Sequence, residues 1–210
     1  MALRGAFRNV RGMGRPRVGI ETRSRGSAFT SPWAESGASQ PRPQRGYTSL
    51  MNAEQTQALR RLLQGQRIAS LGTLNEGEPF VSMVPFALLP EGSGFVIHVS
   101  QLSSHTRDML ESPRVSLLVV APETPGAPAQ ATARVTIQGR AEHDTDSAPG
   151  YAAAREAYLS RFPRAAGMFE LPDFLLFTIR PSSIRFIGGF AQAITLTPEA
   201  FATAVNQRPG

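Results

Sequence analysis

From residue 67 to residue 190 no apolar stretch lasts long: short apolar runs alternate with clusters of Gly, Pro, Asn and Ser. That spacing suits the strands of an antiparallel sheet. The clearest run is "ATARVTIQGRAEH". Ala133, Val135, Ile137, Gly139 and Ala141 point one way, and Arg134, Thr136, Gln138, Arg140 and Glu142 the other. A period of two marks a strand with one buried face. "RIASLGTL" (67–74), "PFVSMVPFALL" (79–89) and "FVIHVS" (95–100), joined by the turns "NEGE" and "PEGSG", read as a meander. "RVSLLVVA" (114–121) is a further strand, and "DFLLFTIRPSSIRFIGGF" (173–190) reads as two strands broken at Pro181. About seven closely spaced strands predict an antiparallel barrel.

Helices are few. "MNAEQTQALRRLLQ" carries a capping box, Asn52 with Gln55, and stops at Gly65. A short helix follows Ser103 and Ser104 and ends at Pro113; "SAPGYAAAREAYLSRF" (147–162) ends before Pro163; and "TPEAFATAV" (197–205) starts at Thr197 as its cap. The strand at 79–89 is apolar on both faces. One face fills the barrel, and the other needs a helix or a second subunit, which predicts a homodimer.

The 210 residues suffice for one sizeable core, and the absence of cysteine excludes disulfides and thiolate metal sites. No apolar run spans a bilayer. All 22 basic residues are arginine, which reads as codon bias. Nine of them lie in residues 1–46 with only Glu21 and Glu35, a net +7, whereas the rest of the chain has 13 arginines against 14 acids, a net −1. Residues 1–46 are predicted to be a disordered basic N-terminal extension, since so few apolar side chains cannot offset the entropy of ordering. An extension without a folded role is favoured over an organelle-targeting segment or a phosphate-binding arm. Met51 is an alternative start. With one tryptophan and no base-stacking platform, nucleic acid is not the expected partner, nor is a membrane.

The stretch "SQLSSHTRDMLESPRVSLLVV" (100–120) is dense in anion-holding groups. A helix start offers free N–H groups and partial positive charge, and Ser103, Ser104, His105, Thr106 and Arg107 sit beside it. The plainer reading is a serine cap with a solvated arginine. His98 shares a strand face with Ser100, where a partly buried structural histidine is the favoured reading. No Gly-rich phosphate loop, nucleophile elbow or spaced histidine cluster is present, so no metal site is expected and no catalytic residue is assigned.

In order along the chain, "IASLGTL", "PFVSMVPFAL", "FVIHVSQLSSHTRDMLESPRVSLLVV", "RVTIQGRAE", "YLSRFP" and "FLLFTIRPSSIRFIGGFAQA" resemble the FMN-binding split-barrel superfamily, related to pyridoxamine 5'-phosphate oxidase, with its HugZ-like and CREG-like branch nearest. The resemblance implies a mostly β protein: an antiparallel split β-barrel with a few flanking helices over residues 47–210, a homodimer, and FMN at the dimer interface. It implies cofactor contacts from Val81, Ser82, Met83 and Val84, from Ser100, Ser103, His105, Thr106 and Arg107, and more weakly from Arg140 and Gln192. Ser82, Ala87 and His105 stand where the oxidase has basic residues, and its C-terminal arginine–histidine pair has no counterpart before Gly210. The expected function is an FMN-dependent oxidoreductase, cytoplasmic, passing hydride between flavin and an unidentified small molecule. The alternative is a haem-binding, HugZ-like haem-utilisation protein or a non-catalytic CREG-like barrel. The haem ligand of the haem-degrading relatives lies in a C-terminal extension that this sequence does not show.

Overall fold

A computed structural model describes residues 51–189 and 192–206; the expectations for residues 1–46 lie outside these. Helix α1 (Ala53–Gly65) opens on the capping box: the Asn52 side chain accepts from the Gln55 N–H at 2.9 Å, and the Gln55 side chain accepts from the Asn52 N–H at 3.0 Å. Strand β1 (Ile68–Asn75) follows and turns through Glu76 and Gly77, both at positive φ, into β2 (Glu78–Pro85). The apolar run at 79–89 is not one strand. It divides at Phe86 into β2 and a two-residue β3 (Ala87–Leu88), whose neighbours differ.

After β4 (Phe95–Ser100) come helix α2 (Ser104–Glu111), β5 (Arg114–Val120), β6 (Arg134–Asp144), helix α3 (Tyr151–Arg161) and a 3-10 segment (Pro163–Glu170). The chain closes with β7 (Phe174–Ile187), β8 (Ala193–Leu196) and helix α4 (Pro198–Asn206), at whose start Thr197 Oγ1 accepts from the Ala200 N–H at 3.2 Å. The strands pair antiparallel in the order β2-β1-β5-β6-β7-β4-β3, with β8 added to β7. The two ends of that path, β2 and β3, are separated in sequence only by Phe86, so the chain itself closes the sheet. This is an antiparallel split β-barrel with flanking helices.

Alternation sorts the side chains. Val135, Ile137 and Ala141 of β6 face inward, as their spacing predicts, and meet Leu71, Phe95, Ile97, Leu117, Ile179, Ile184 and Phe186 in the barrel core. Leu59, Leu62 and Leu63 of α1 and Phe201 of α4 join the same core. Each large side chain so buried contributes about 1.5–3 kcal/mol. Strand β4 is buried on both faces: outward, Val96 packs with Ala87, Leu176, Ala154 and Tyr158 under α3.

Pro181 does not break β7, contrary to the expectation of two strands. The register with β6 shifts from Gln138↔Ser183 to Gly139↔Pro181, leaving Ser182 as the extra residue of a bulge. A bulge tolerates a residue with no N–H to give. Gly139 is required opposite, because a Cβ there would lie 2.2 Å from the Arg180 carbonyl oxygen.

Candidate functional site

The loop between β4 and α2 folds back on itself. Thr106 is fully buried and donates its hydroxyl hydrogen to the Ser100 carbonyl at 2.7 Å. Ser100 Oγ donates to Asp173 at 3.0 Å and accepts from the Leu102 N–H at 3.2 Å. Ser103 occupies the N-cap position of α2, yet its side chain makes no capping bond. Ser103 and Ser104 are both partly exposed at the helix start, and Arg107 is exposed beside them. Arg107 makes only long contacts, 3.4 Å to the Leu102 carbonyl and 3.4 Å to Ser104 Oγ.

His105 is half-buried, and its Nε2 is enclosed without a partner. Burial lowers its pKa, opposed by the nearby charge of Asp108, so it is neutral at pH 7. The oxidase's fixed charge at this position is therefore not replaced. Asp108 anchors the helix: its buried carboxylate accepts from Thr73 Oγ1 and from Asn75 Nδ2, both at 2.7 Å. Sequence reading missed Asp108 and Asp173, since nothing local marks an acid whose partners are more than thirty residues away.

The four β2 candidates divide by face. Val84, opposite Ala69, is buried in the core, and Ser82, opposite Leu71, turns its enclosed, unpartnered hydroxyl the same way. Val81 and Met83 point outward, 67% and 59% exposed, beside Ile68 at 51%. Among the described residues no helix covers them. The same outer face continues through Gly72 and Ser116 to a groove of about 430 Å³ walled by Leu74, Arg114, Gln138 and Ser182. Arg114 stands directly opposite Arg140 across β5 and β6, and Arg140 opposite Arg180 across β6 and β7. Among the described residues only Arg180 of these three is ion-paired, to Glu142 at 3.1 Å. Facing like charges are unfavourable in a sheet unless something neutralises them. Gln192 lies apart from these groups, exposed in the turn between β7 and β8.

Together, the barrel closed through Phe86, the loop and helix after β4, and the uncovered outer sheet define a split-barrel protein of the pyridoxamine 5'-phosphate oxidase type. The sequence matches the family described as Pyridoxamine 5'-phosphate oxidase over residues 55–188, and the chain belongs to that family. It is 35% identical over 139 residues to a chloroplastic heme oxygenase, HOZ, of Arabidopsis thaliana, covering 64% of this chain and 40% of that one. It is 26% identical over 149 residues to the heme oxygenase HutZ of Vibrio cholerae, covering 70% of this chain and 84% of that one. A heme-binding protein of Mycobacterium smegmatis has a similar solved structure, with a TM-score of 0.63 and 32% identity over 73% of this chain and 61% of that one. The chain thus spans less than two thirds of the Arabidopsis and Mycobacterium relatives. The HugZ-like placement agrees with these neighbours, and among the described residues no helix is long and apolar enough to cross a membrane.

Proposed function

We propose that this protein binds haem and acts in haem utilisation, with oxidative haem breakdown as its activity. The observation that carries the reading is its similarity, at 35% and 32% identity, to proteins named for haem. It reverses the order expected from sequence, where FMN stood first. The chain's own residues offer contacts for the body of the group and for its carboxylates. Haem is a flat apolar body with two carboxylates. The outer sheet offers exposed Ile68, Val81 and Met83 for the body and the facing pair Arg114 and Arg140 for the carboxylates. Bound haem supplies the redox and oxygen chemistry, while the protein supplies binding, orientation and exclusion of water.

We also propose that two copies join through this outer face, with the cofactor at the boundary. Val81, Met83 and Ile68 would then leave water in pairs, and each fully buried apolar side chain contributes about 1.5–3 kcal/mol.

A second reading, FMN, is favoured by one observation: Ser103 leaves its hydroxyl unbonded at the start of α2, beside Ser104 and Arg107, as a phosphate would require. Titrating the full chain with haemin and, separately, with FMN decides between them. A saturable Soret band, weakened several-fold by Arg114→Glu or Arg140→Glu, supports haem. A flavin absorption band retained through gel filtration, with no response to haemin, refutes it.

A further inference from the structure

Below the 3-10 segment Pro163–Glu170 lies a cavity of about 530 Å³ that the haem reading does not use. Its lining includes His98, Phe169 and Phe174 and three carboxylates, Asp144, Asp146 and Glu170. We infer that this cavity is a binding site for a small organic cation, an amine carried on an aromatic or aliphatic body.

Its deepest polar group is His98. The ring is only 4% exposed, lies flat against Phe169 at 3.9 Å between centroids and 9° between planes, and is 5.2 Å from Phe174. Its Nδ1 is enclosed and has no hydrogen-bond partner. Buried polar atoms in native proteins are rarely left so, because an unmet acceptor costs about 1–3 kcal/mol. Burial holds the His98 pKa at about 4, so at neutral pH the ring is uncharged and one nitrogen carries a lone pair that can accept a proton donor.

The rim sets the sign of the ligand. The Asp144 carboxylate is buried and accepts from Thr178 Oγ1 at 2.5 Å, fixing it in place. Burial first, and then the neighbouring Asp146 and Glu170, push the pKa of the Tyr151 hydroxyl up, so both acids stand close to it. Arg155, with its guanidinium 5.0 Å from the Phe169 centroid, is the cation that accompanies these three acids. The excess is negative. It repels haem carboxylates and phosphate alike, which separates this cavity from the arginine-bearing outer face. Phe174, and Leu171 at the mouth, 46% exposed, supply apolar surface for the body of the ligand. Carboxylates beside aromatic rings are the usual surroundings of a bound organic ammonium.

Calorimetric titration of the full chain with benzylamine, benzyl alcohol and benzoate tests this, since the three share a ring and differ in charge. Benzylamine is expected to bind saturably, at least about fivefold tighter than the alcohol, with benzoate weakest. The exposed pair Asp146→Asn with Glu170→Gln should remove that preference, and the ring-proton NMR signals of His98 should shift with benzylamine in the unaltered chain. Equal binding of all three probes, a preference that survives the double substitution, or saturation that leaves the His98 signals unmoved would each overturn the site.

Discussion

Thr106 donates its hydroxyl hydrogen to the Ser100 carbonyl at 2.7 Å, and in doing so ties the first turn of α2 to the end of β4. The hydroxyl is thereby committed to holding the loop's shape. Thr106→Val keeps the volume and removes this donor, leaving the carbonyl only the Ser103 N–H at 3.1 Å. Urea unfolding should show a loss of about 0.5–1.5 kcal/mol. Unchanged stability would mean that the loop is held by its bonds to Asp173 and by Asp108 without this one.

Arg161 joins two helices. From the end of α3 its Nη2 donates to the carbonyl oxygens of Leu63 at 3.0 Å and Gln64 at 3.2 Å, and also to that of Gln66, at the unsatisfied C-terminal turn of α1. The guanidinium also lies 5.3 Å from the Phe86 ring centroid. Arg161→Met should destabilise the fold by about 2–3 kcal/mol in chemical denaturation. Arg161→Lys should recover part of it, because all three bonds come from one nitrogen, whereas the flat guanidinium face beside Phe86 is not replaced by an ammonium.

The bulge opposite Pro181 depends on the missing side chain of Gly139. In Gly139→Ala the new Cβ meets the Arg180 carbonyl oxygen at 2.2 Å, so β6 and β7 must part locally. A loss of about 1–3 kcal/mol is expected, read as a lowered melting temperature. Gly77→Ala is the comparison: a Cβ there meets nothing within 4 Å, and only its positive φ is strained.

Acid should loosen the packing around His98. The folded pKa, about 4, lies below the ordinary value of 6.5, because burial penalises the charged ring. The unfolded chain therefore takes up a proton first as pH falls. The stability tied to neutral His98 is complete above about 6.5 and is lost as pH drops toward 4, to a total on the order of 3 kcal/mol. His98→Phe should flatten that part of the stability–pH curve between pH 7 and pH 4. A curve identical to that of the unaltered chain would show that His98 stays uncharged or is already exposed.

The exposed strip on β2 makes a separate forecast. Met83→Glu, alone or with Val81→Asp, places charge on a face that is exposed among the described residues. Light scattering should report a dimer for the unaltered chain and a monomer for the variants, with circular dichroism unchanged because neither side chain enters the core. A monomeric parent would refute the dimer, and variants that remain dimeric would move its interface to another face.

Much of this architecture follows from residue order alone. The alternation from Ala133 to Glu142 sets which side of β6 is buried, because successive side chains of a strand must point oppositely. Asn52 and Gln55 set the start of α1, and Thr197 that of α4, because their hydrogen bonds close within three residues. The motif block around α2 was enough to indicate the family. What residue order could not decide are the relations made across the barrel. Phe86 separates two strands with different neighbours, and Pro181 sits inside one continuous strand because Gly139 opposite yields the space. The hydroxyls of Ser100 and Thr106 are spent on Asp173 and on the backbone, Arg114 faces Arg140, and His98 is enclosed by Phe169. Periodicity and caps report interactions between neighbours in sequence, whereas these pairings depend on which strands lie side by side, and that is settled only when the whole sheet closes.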